Sequence, residues 1–434
     1  MMQNALENSF KVQLEELYRK VEENSHDPFL TRSIMWDHFC NLHLPFKETE
    51  GYRYIALRHL FEQKFVFQAT PKVTKEQITP WVYPECSRSV LVFVNGIYQE
   101  SLSCRENLPS KLIASTLLEA NEVFDALLSN LWTKTTKEER DPFAILNGAL
   151  YQDGGFVYIP PNCLVESPIQ ILQITVGTEQ ETEFVNPRLL VVMGQHSNAR
   201  FLFTQHAIHC KGCFINSVAE FVINEGSHVH IIQNGWNDHS AKWHFDALRA
   251  TLKKQSSLKT VFVTNGSETT RTDYKVALAG EGAEALLNGI SYLSDQKESH
   301  IYAIVDHQAP HCRSYQRFKN VLNGSCRSSF EGKILVRQIA QKTEAFQLNN
   351  NLLLDDRSQA YSKPNLEVFA DDVKASHGAT IGQLDSEQVF YMKTRGFSEE
   401  IAKKILVLGF CEQIFEMIPL HSMRKELSKA VSYA

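Results

Sequence analysis

Long apolar runs, an excess of basic residues and a dense cysteine framework are all missing from this 434-residue chain. No stretch approaches the ~18 consecutive apolar residues that a membrane-spanning helix needs, and the longest candidates, KILVLGF and ALLNGI, stop far short. The 44 basic residues are outnumbered by 50 acidic ones, a formal net charge of −6, which argues against non-specific nucleic-acid binding as the main task. The N-terminal MMQNALENSFKVQLEE shows neither a basic segment followed by an apolar one nor an Arg/Ser-rich, acid-poor leader, so a soluble, cytoplasmic protein is expected. Nine cysteines, an odd number scattered over the whole length, fit reduced thiols better than disulfides. No Gly-x-x-x-x-Gly-Lys-Ser/Thr occurs, so any ATP-driven step requires a partner.

What is present reads as globular, with 43% apolar and 22% charged residues. Residues 1 to about 70 read as helical. Leu6, Phe10, Leu14, Leu17 and Val21 recur at spacings of three and four, IALRHLFEQKF repeats the pattern, and Asp27-Pro28 and Leu44-Pro45 mark breaks. SVLVFVNGIYQESL suits a hairpin turning at Asn95-Gly96, and KLIASTLLEANEVFDALLSNLW is a second helical stretch.

From about residue 155 to 380, period-two alternation replaces helical periodicity. Ala199, Phe201 and Phe203 share one strand face, as do Phe330, Gly332, Ile334 and Val336. Similar units start near Asn198, Ser227, Ser256 and Ala283, with a further one at Arg327. Near-regular strand units without long intervening helices indicate a solenoid, read here as a parallel β-helix; a large antiparallel sandwich fits the alternation as well but the spacing less well. The division expected is a mainly helical domain over 1–150, a β-helix core over 151–383 and a helical domain over 384–434. In the last, Asp385 and Ser398 cap helices, and Ile401, Ile405, Leu408, Cys411, Phe415 and Ile418 form one stripe.

Several motifs invite chemistry. Gly280, Gly282 and Ala285 with Asp306 imitate a dinucleotide fingerprint, but Gly289 and Ile290 spoil the helix it needs, and corner glycines of a solenoid are the better reading. HAIHCKGC offers His206, His209, Cys210 and Cys213, and VDHQAPHC offers Asp306, His307, His311 and Cys312; neither has the second distant pair that a closed metal site staples together. In KASHGATIG, Ser376 and His377 are strand neighbours and point to opposite faces, so they form no nucleophile and base pair. Ser376, Gly378, Thr380 and Gly382 make a face of very small side chains, suited to close packing against another chain, while His377, Ala379 and Ile381 make the other. A β-helix carbohydrate enzyme would draw on Asp355-Asp356 or Asp371-Asp372, and a stand-alone metal store on HAIHCKGC.

The segments FEGKI, AQKTEAFQLNNNLLL, KPNLEVFADDV and SHGATIGQLD, with DPFAILNGALYQDGGFVYIP and FINSVAEFVIN upstream, resemble the SufB/SufD family of iron-sulfur cluster assembly proteins. The likeness is strong over about residues 141–415 and loose in the N-terminal part, where NLHLPFKETEGYRY stands. The SHGAT wording, modest length and N-terminal helical domain look like the SufD branch; a SufB-like scaffold is the alternative.

The resemblance implies a right-handed parallel β-helix flanked by helical regions, and a non-enzymatic subunit that pairs with a SufB-like protein. It also implies engagement of a SufC-like ATPase through the C-terminal helices, with Ile401, Ile405 and Leu408 as docking candidates. His377 matches a family histidine implicated in receiving iron or the nascent iron-sulfur cluster at the SufB interface, a role that imidazole can fill. Ser376, Gly378, Thr380 and Gly382 would then serve SufB pairing or, in isolation, a homodimer. Many relatives carry Cys two residues before this histidine, where Ala375 stands here, so a thiolate from that position is impossible. Flavin has been linked to the family complex, but no flavin fingerprint is evident.

Overall fold

The computed structural model describes residues 2–24, 31–67, 72–178, 180–210, 212–236 and 241–433; the expected break at Asp27-Pro28 lies outside them. Strand alternation organises the centre of the chain. The solenoid strands are β1 (Val90–Val94), β2 (Gly155–Ile159), β3 (Ile169–Val176), β4 (Arg188–Met193), β5 (Asn198–Ile208) and β6 (Cys213–Ile223). They continue as β7 (His228–Gly235), β8 (Ala241–Leu252), β9 (Ser257–Thr264), β10 (Thr269–Leu278), β11 (Glu284–Leu293) and β12 (Glu298–His307). The last are β13 (Arg313–Leu322), β14 (Arg327–Val336), β15 (Thr343–Leu353), β16 (Gln359–Val368) and β17 (Val373–Gly382). Odd strands form one sheet and even strands the other, each pairing in parallel with the strand two further along. This is a parallel β-solenoid. The antiparallel alternative fails because only short flanking strands pair antiparallel among those described.

Period-two alternation builds the interior. Ala199, Val229, Leu258, Ala285, Ser314, Ala345 and Ala375 stand in register down the odd sheet. The parallel file Phe201, Ile231, Thr260, Leu287, Gln316, Gln347 and His377 changes from apolar to polar towards the last turn. One corner repeats a left-handed residue (His196, Gly226, Gln255, Gly282, His311, Lys342) followed by a small buried one (Ser197, Ser227, Ser256, Ala283, Cys312, Thr343). Gly282 is thus a corner glycine at φ +70°, and the segment after it is strand β11 rather than a nucleotide-binding helix. The units near Asn198, Ser227, Ser256 and Ala283 do repeat down one sheet. Arg327 breaks that series because it opens β14 on the opposite sheet; the next same-sheet unit is Arg313.

Helices cover both outer faces. Over residues 1–70 the helical expectation holds for α1 (Met2–Asn24) and α2 (Arg32–Asn41), where Phe10, Leu14, Leu17 and Val21 are buried. Beyond them the chain is mostly turns, with a short helix Arg58–Glu62, and Phe65–Val66 adds a parallel strand beside Thr182–Val185. The hairpin at Asn95-Gly96 forms with both turn residues at positive φ, and β1 joins the odd sheet. Then come α3 (Leu117–Glu138) and α4 (Pro142–Leu150), the latter capped by Asp141, whose side chain accepts from Phe143 and Ala144 N–H. Phe143, Phe184, Phe214, Trp243 and Phe245 seal this part against the even sheet.

A buried ionic cluster fastens the same junction. Glu139 accepts from Arg249 and Lys275, both at 2.6 Å, and Asp141 accepts from Arg271 at 2.7 Å and from the Tyr52 hydroxyl at 2.6 Å. Asp273 bridges Arg249 and Arg271 at 3.1 and 3.2 Å. The C-terminal α5 (Ser386–Thr394), α6 (Glu399–Phe415) and α7 (His421–Tyr433) lie over the odd sheet, with Cys411, Ile414, Phe415 and Ile418 packed on Ile232, Val261, Val263 and Ile290. Asp385 and Ser398 cap α5 and α6 as their sequence positions require.

Candidate functional site

A solenoid of parallel strands must end on two unpaired edges unless something caps it. Among the described residues, β16 pairs only with β14, and β17 only with β15. Most of β17 is exposed, with only Val373, Ala375 and Gly378 half-buried. The last turn is therefore a mouth with two free edges side by side.

Register fixes what the mouth presents. Ala375 packs with Ala345, Ile334 and Ala370, so the file Ala375, His377, Ala379 and Ile381 is the interior-facing one. His377 stands in register with Gln347, which is buried, yet is itself exposed because no further turn covers it. Ser376, Gly378, Thr380 and Gly382 lie on the outer face of β17. Thr380 is fixed by Asn350, whose amide donates to its hydroxyl at 2.9 Å, and a Cβ on Gly378 would meet Leu348 at 3.3 Å. These four residues and His377 thus share one strand but opposite faces, as alternation requires.

No cysteine lies on β16 or β17, and Cys411, the one cysteine further along the chain, is buried in α6 with its thiol pushed up to about 12 by burial. His377 is accordingly the imidazole that this chain can offer at the mouth, without a thiolate beside it. The stripe of α6 divides in two. Cys411, Phe415 and Ile418 are buried and Leu408 half-buried, whereas Ile401 and Ile405 are 49% and 39% exposed, and Phe390 and Phe397 are exposed as well.

The other sequence candidates are not brought together. His206 stacks on Trp81 with ring centroids 4.7 Å apart, and Cys213 is buried; Lys211, inside that motif, lies outside the described residues. His307 binds the Ser314 hydroxyl at 2.8 Å, Cys312 is a corner residue directed at the Gly280 carbonyl, and Asp306 pairs with Arg337. Among the described residues no cluster of three or more His, Cys, Asp and Glu side chains is placed to hold a metal. Asp355 is paired with Arg357 and Asp356 accepts from Gln383. The ionic cluster around Asp141 escapes sequence inspection, because Arg249, Arg271, Asp273 and Lys275 sit at outward strand positions that read as solvated. An Asp-Pro helix start was its only local signal.

Comparison with known proteins agrees with this architecture. The family profile "SUF system FeS cluster assembly, SufBD core domain" matches residues 175–410, and "SufBD protein N-terminal region" matches residues 4–171. An iron-sulfur cluster assembly SufBD family protein of Synechocystis sp. is 31% identical over 402 residues, covering 90% of this chain and 88% of its own. The iron-sulfur cluster assembly protein SufD of Escherichia coli is 25% identical over 406 residues, 88% of each chain. SufB of Bacillus subtilis is 23% identical over 370 residues, 81% of this chain and 76% of its own. On matched domains that together span nearly its whole length, the chain belongs to the SufB/SufD family of iron-sulfur cluster assembly proteins.

Proposed function

We propose that this chain is a SufD-like, non-enzymatic subunit that pairs through its open mouth with a SufB-like protein and helps iron enter, or a cluster form, at that junction. The observation that carries the reading is His377, exposed on an unpaired solenoid edge with no thiol beside it. Iron or the nascent cluster is cargo here, held briefly by His377 and by groups of the partner; a thiolate has to come from the other side. Similarity to SufD over 88% of each chain supports the branch, and Ala375 disfavours a SufB-like scaffold, which needs a thiol at that place. Two adjacent unpaired edges offer backbone donors and acceptors that a second solenoid of the same pitch can satisfy.

A SufC-like ATPase is the partner assigned to the exposed half of the α6 stripe, Ile401 and Ile405, with Phe390 and Phe397. ATP turnover then belongs to that partner, and any flavin to the complex. The cytoplasm is the compartment proposed. The test is co-expression with a SufB-like protein and its ATPase. All three are expected to purify together, and Ile401→Asp with Ile405→Asp to release the ATPase alone. A chain that purifies only as its own homodimer beside a soluble SufB-like protein contradicts the reading.

A further inference from the structure

A cavity of about 60 Å³ lies inside the solenoid, between the starts of β6, β8 and β10 and the ends of β5, β7 and β9. That is room for a few waters or one hydrated ion. Its walls include Phe203, Phe262 and Leu248 together with Gln173, Gln205 and Gln233, and the even sheet directs Ser217, His244, Asp246 and Thr270 into it. Asp246 and His244 are strand residues i and i+2, so both face inward. His244 Nε2 lies 3.2 Å from Asp246 Oδ1, and the Ser217 hydroxyl donates to the same oxygen. Thr270, 3% exposed, faces the same cavity with a hydroxyl that has no hydrogen-bond partner among the described residues.

The Asp246 side chain keeps 21% of its surface uncovered, although it points into the interior. A carboxylate with open surface, an imidazole at its side and a buried hydroxyl without a partner among the described residues face one common cavity.

We propose that this cavity binds one divalent first-row transition ion, with His244 Nε2 and an Asp246 carboxylate oxygen as ligands and the Ser217 and Thr270 hydroxyls and water completing the shell. A nitrogen and an oxygen 3.2 Å apart match neighbouring ligands in a shell of bonds about 2.1 Å long. Imidazole with carboxylate suits iron(II), manganese(II), cobalt(II) or zinc(II); calcium, which takes 6–8 oxygens, does not fit an imidazole in so small a space. Any proton on His244 Nε2 leaves as the metal binds. With two such ligands rather than four, the ion exchanges instead of holding the fold together. That iron is the occupant in the cell rests on the proposed function; the site itself does not.

The test uses the full chain carrying His377→Ala, so that the mouth cannot contribute. Anaerobic titration with cobalt(II), followed by its visible d–d absorption, is expected to show one nitrogen and oxygen ligated equivalent. Asp246→Asn in that background is expected to lose this equivalent or weaken it at least about tenfold. Thermal melts verify that the variants fold, and His244→Gln replaces Asp246→Asn if that variant does not. In crystals soaked with cobalt(II), anomalous density should sit beside His244 Nε2. Unchanged titration of Asp246→Asn and of His244→Gln, or only water in the cavity of the soaked crystals, overturns the proposal. Neither result bears on pairing with SufB, which co-purification tests separately.

Discussion

Gln347 and His377 occupy the same position on neighbouring strands of one sheet, yet Gln347 is 3% exposed and His377 lies open to solvent. One missing turn makes the difference. A residue that would be one more interior side chain becomes, at the end of the solenoid, a side chain open to solvent. The same logic applies to Ile381, on the same interior-facing file but 52% exposed.

Ile381→Lys is therefore expected to leave the chain's own stability within about 0.5 kcal/mol, as exposed substitutions usually do. It should weaken co-purification with a SufB-like protein, because a lysine at the mouth is buried without a partner once the edges pair. Urea denaturation of the free chain and pull-down of the complex check the two halves.

Arg271→Ala removes the cation between Asp141 and Asp273, leaving buried Asp141 without its ion pair and Asp273 with Arg249 alone. The expected loss is about 3–5 kcal/mol in chemical denaturation. The N-terminal helices should become more protease-sensitive than the solenoid, because this cluster joins the two.

Acid should destabilise the protein in two stages. Burial pushes the His230 and His307 imidazoles down to about 4, so between their ordinary 6.5 and about 4 the unfolded chain binds protons that the folded one refuses. Stability falls as pH drops through that window. Burial also disfavours the charged form of Glu139, but Arg249 and Lys275 outweigh it and hold the carboxyl well below the usual range; its contribution is present above about 4.5 and fades below. Urea midpoints from about pH 8 to about pH 2 should fall in this order. His307→Gln should flatten the first stage and leave the second.

Lys319 ties α6 to the odd sheet, its ammonium donating to the Phe410 carbonyl at 2.9 Å and to Gln413 at 2.6 Å. Lys319→Met keeps the stem and removes both bonds, which are worth about 1.5–3 kcal/mol each for a charged donor. Hydrogen exchange in Glu399–Phe415 should accelerate, with β8 to β12 unchanged.

Much of this was legible in the residues. Alternation in NARFLF and SSFEGKILV reports the pleat directly, and helix caps such as Asp385 and Ser398 are local events that sequence encodes locally. That His377 and its small neighbours lie on opposite faces of one strand was legible through alternation. The placement of Arg327 on the opposite sheet was not, because strand units of both sheets share one texture and only pairing distinguishes them. Glu139 and Asp141 meeting Arg249 and Arg271 was equally hidden: more than a hundred residues separate the partners, and nothing local marks which charged side chains a helix will cover. The cavity at Asp246 depends on where two sheets leave a gap, which no single strand records.

The central claim is that His377 at the mouth supports cluster assembly without holding the complex together. The direct measurement is cluster formation by His377→Ala in a complex reconstituted with the SufB-like protein and its ATPase, read by visible absorption against the parent under the same iron and sulfide supply. The account predicts an intact complex that forms little or no cluster; an intact complex that assembles clusters at the parental rate and yield would contradict it.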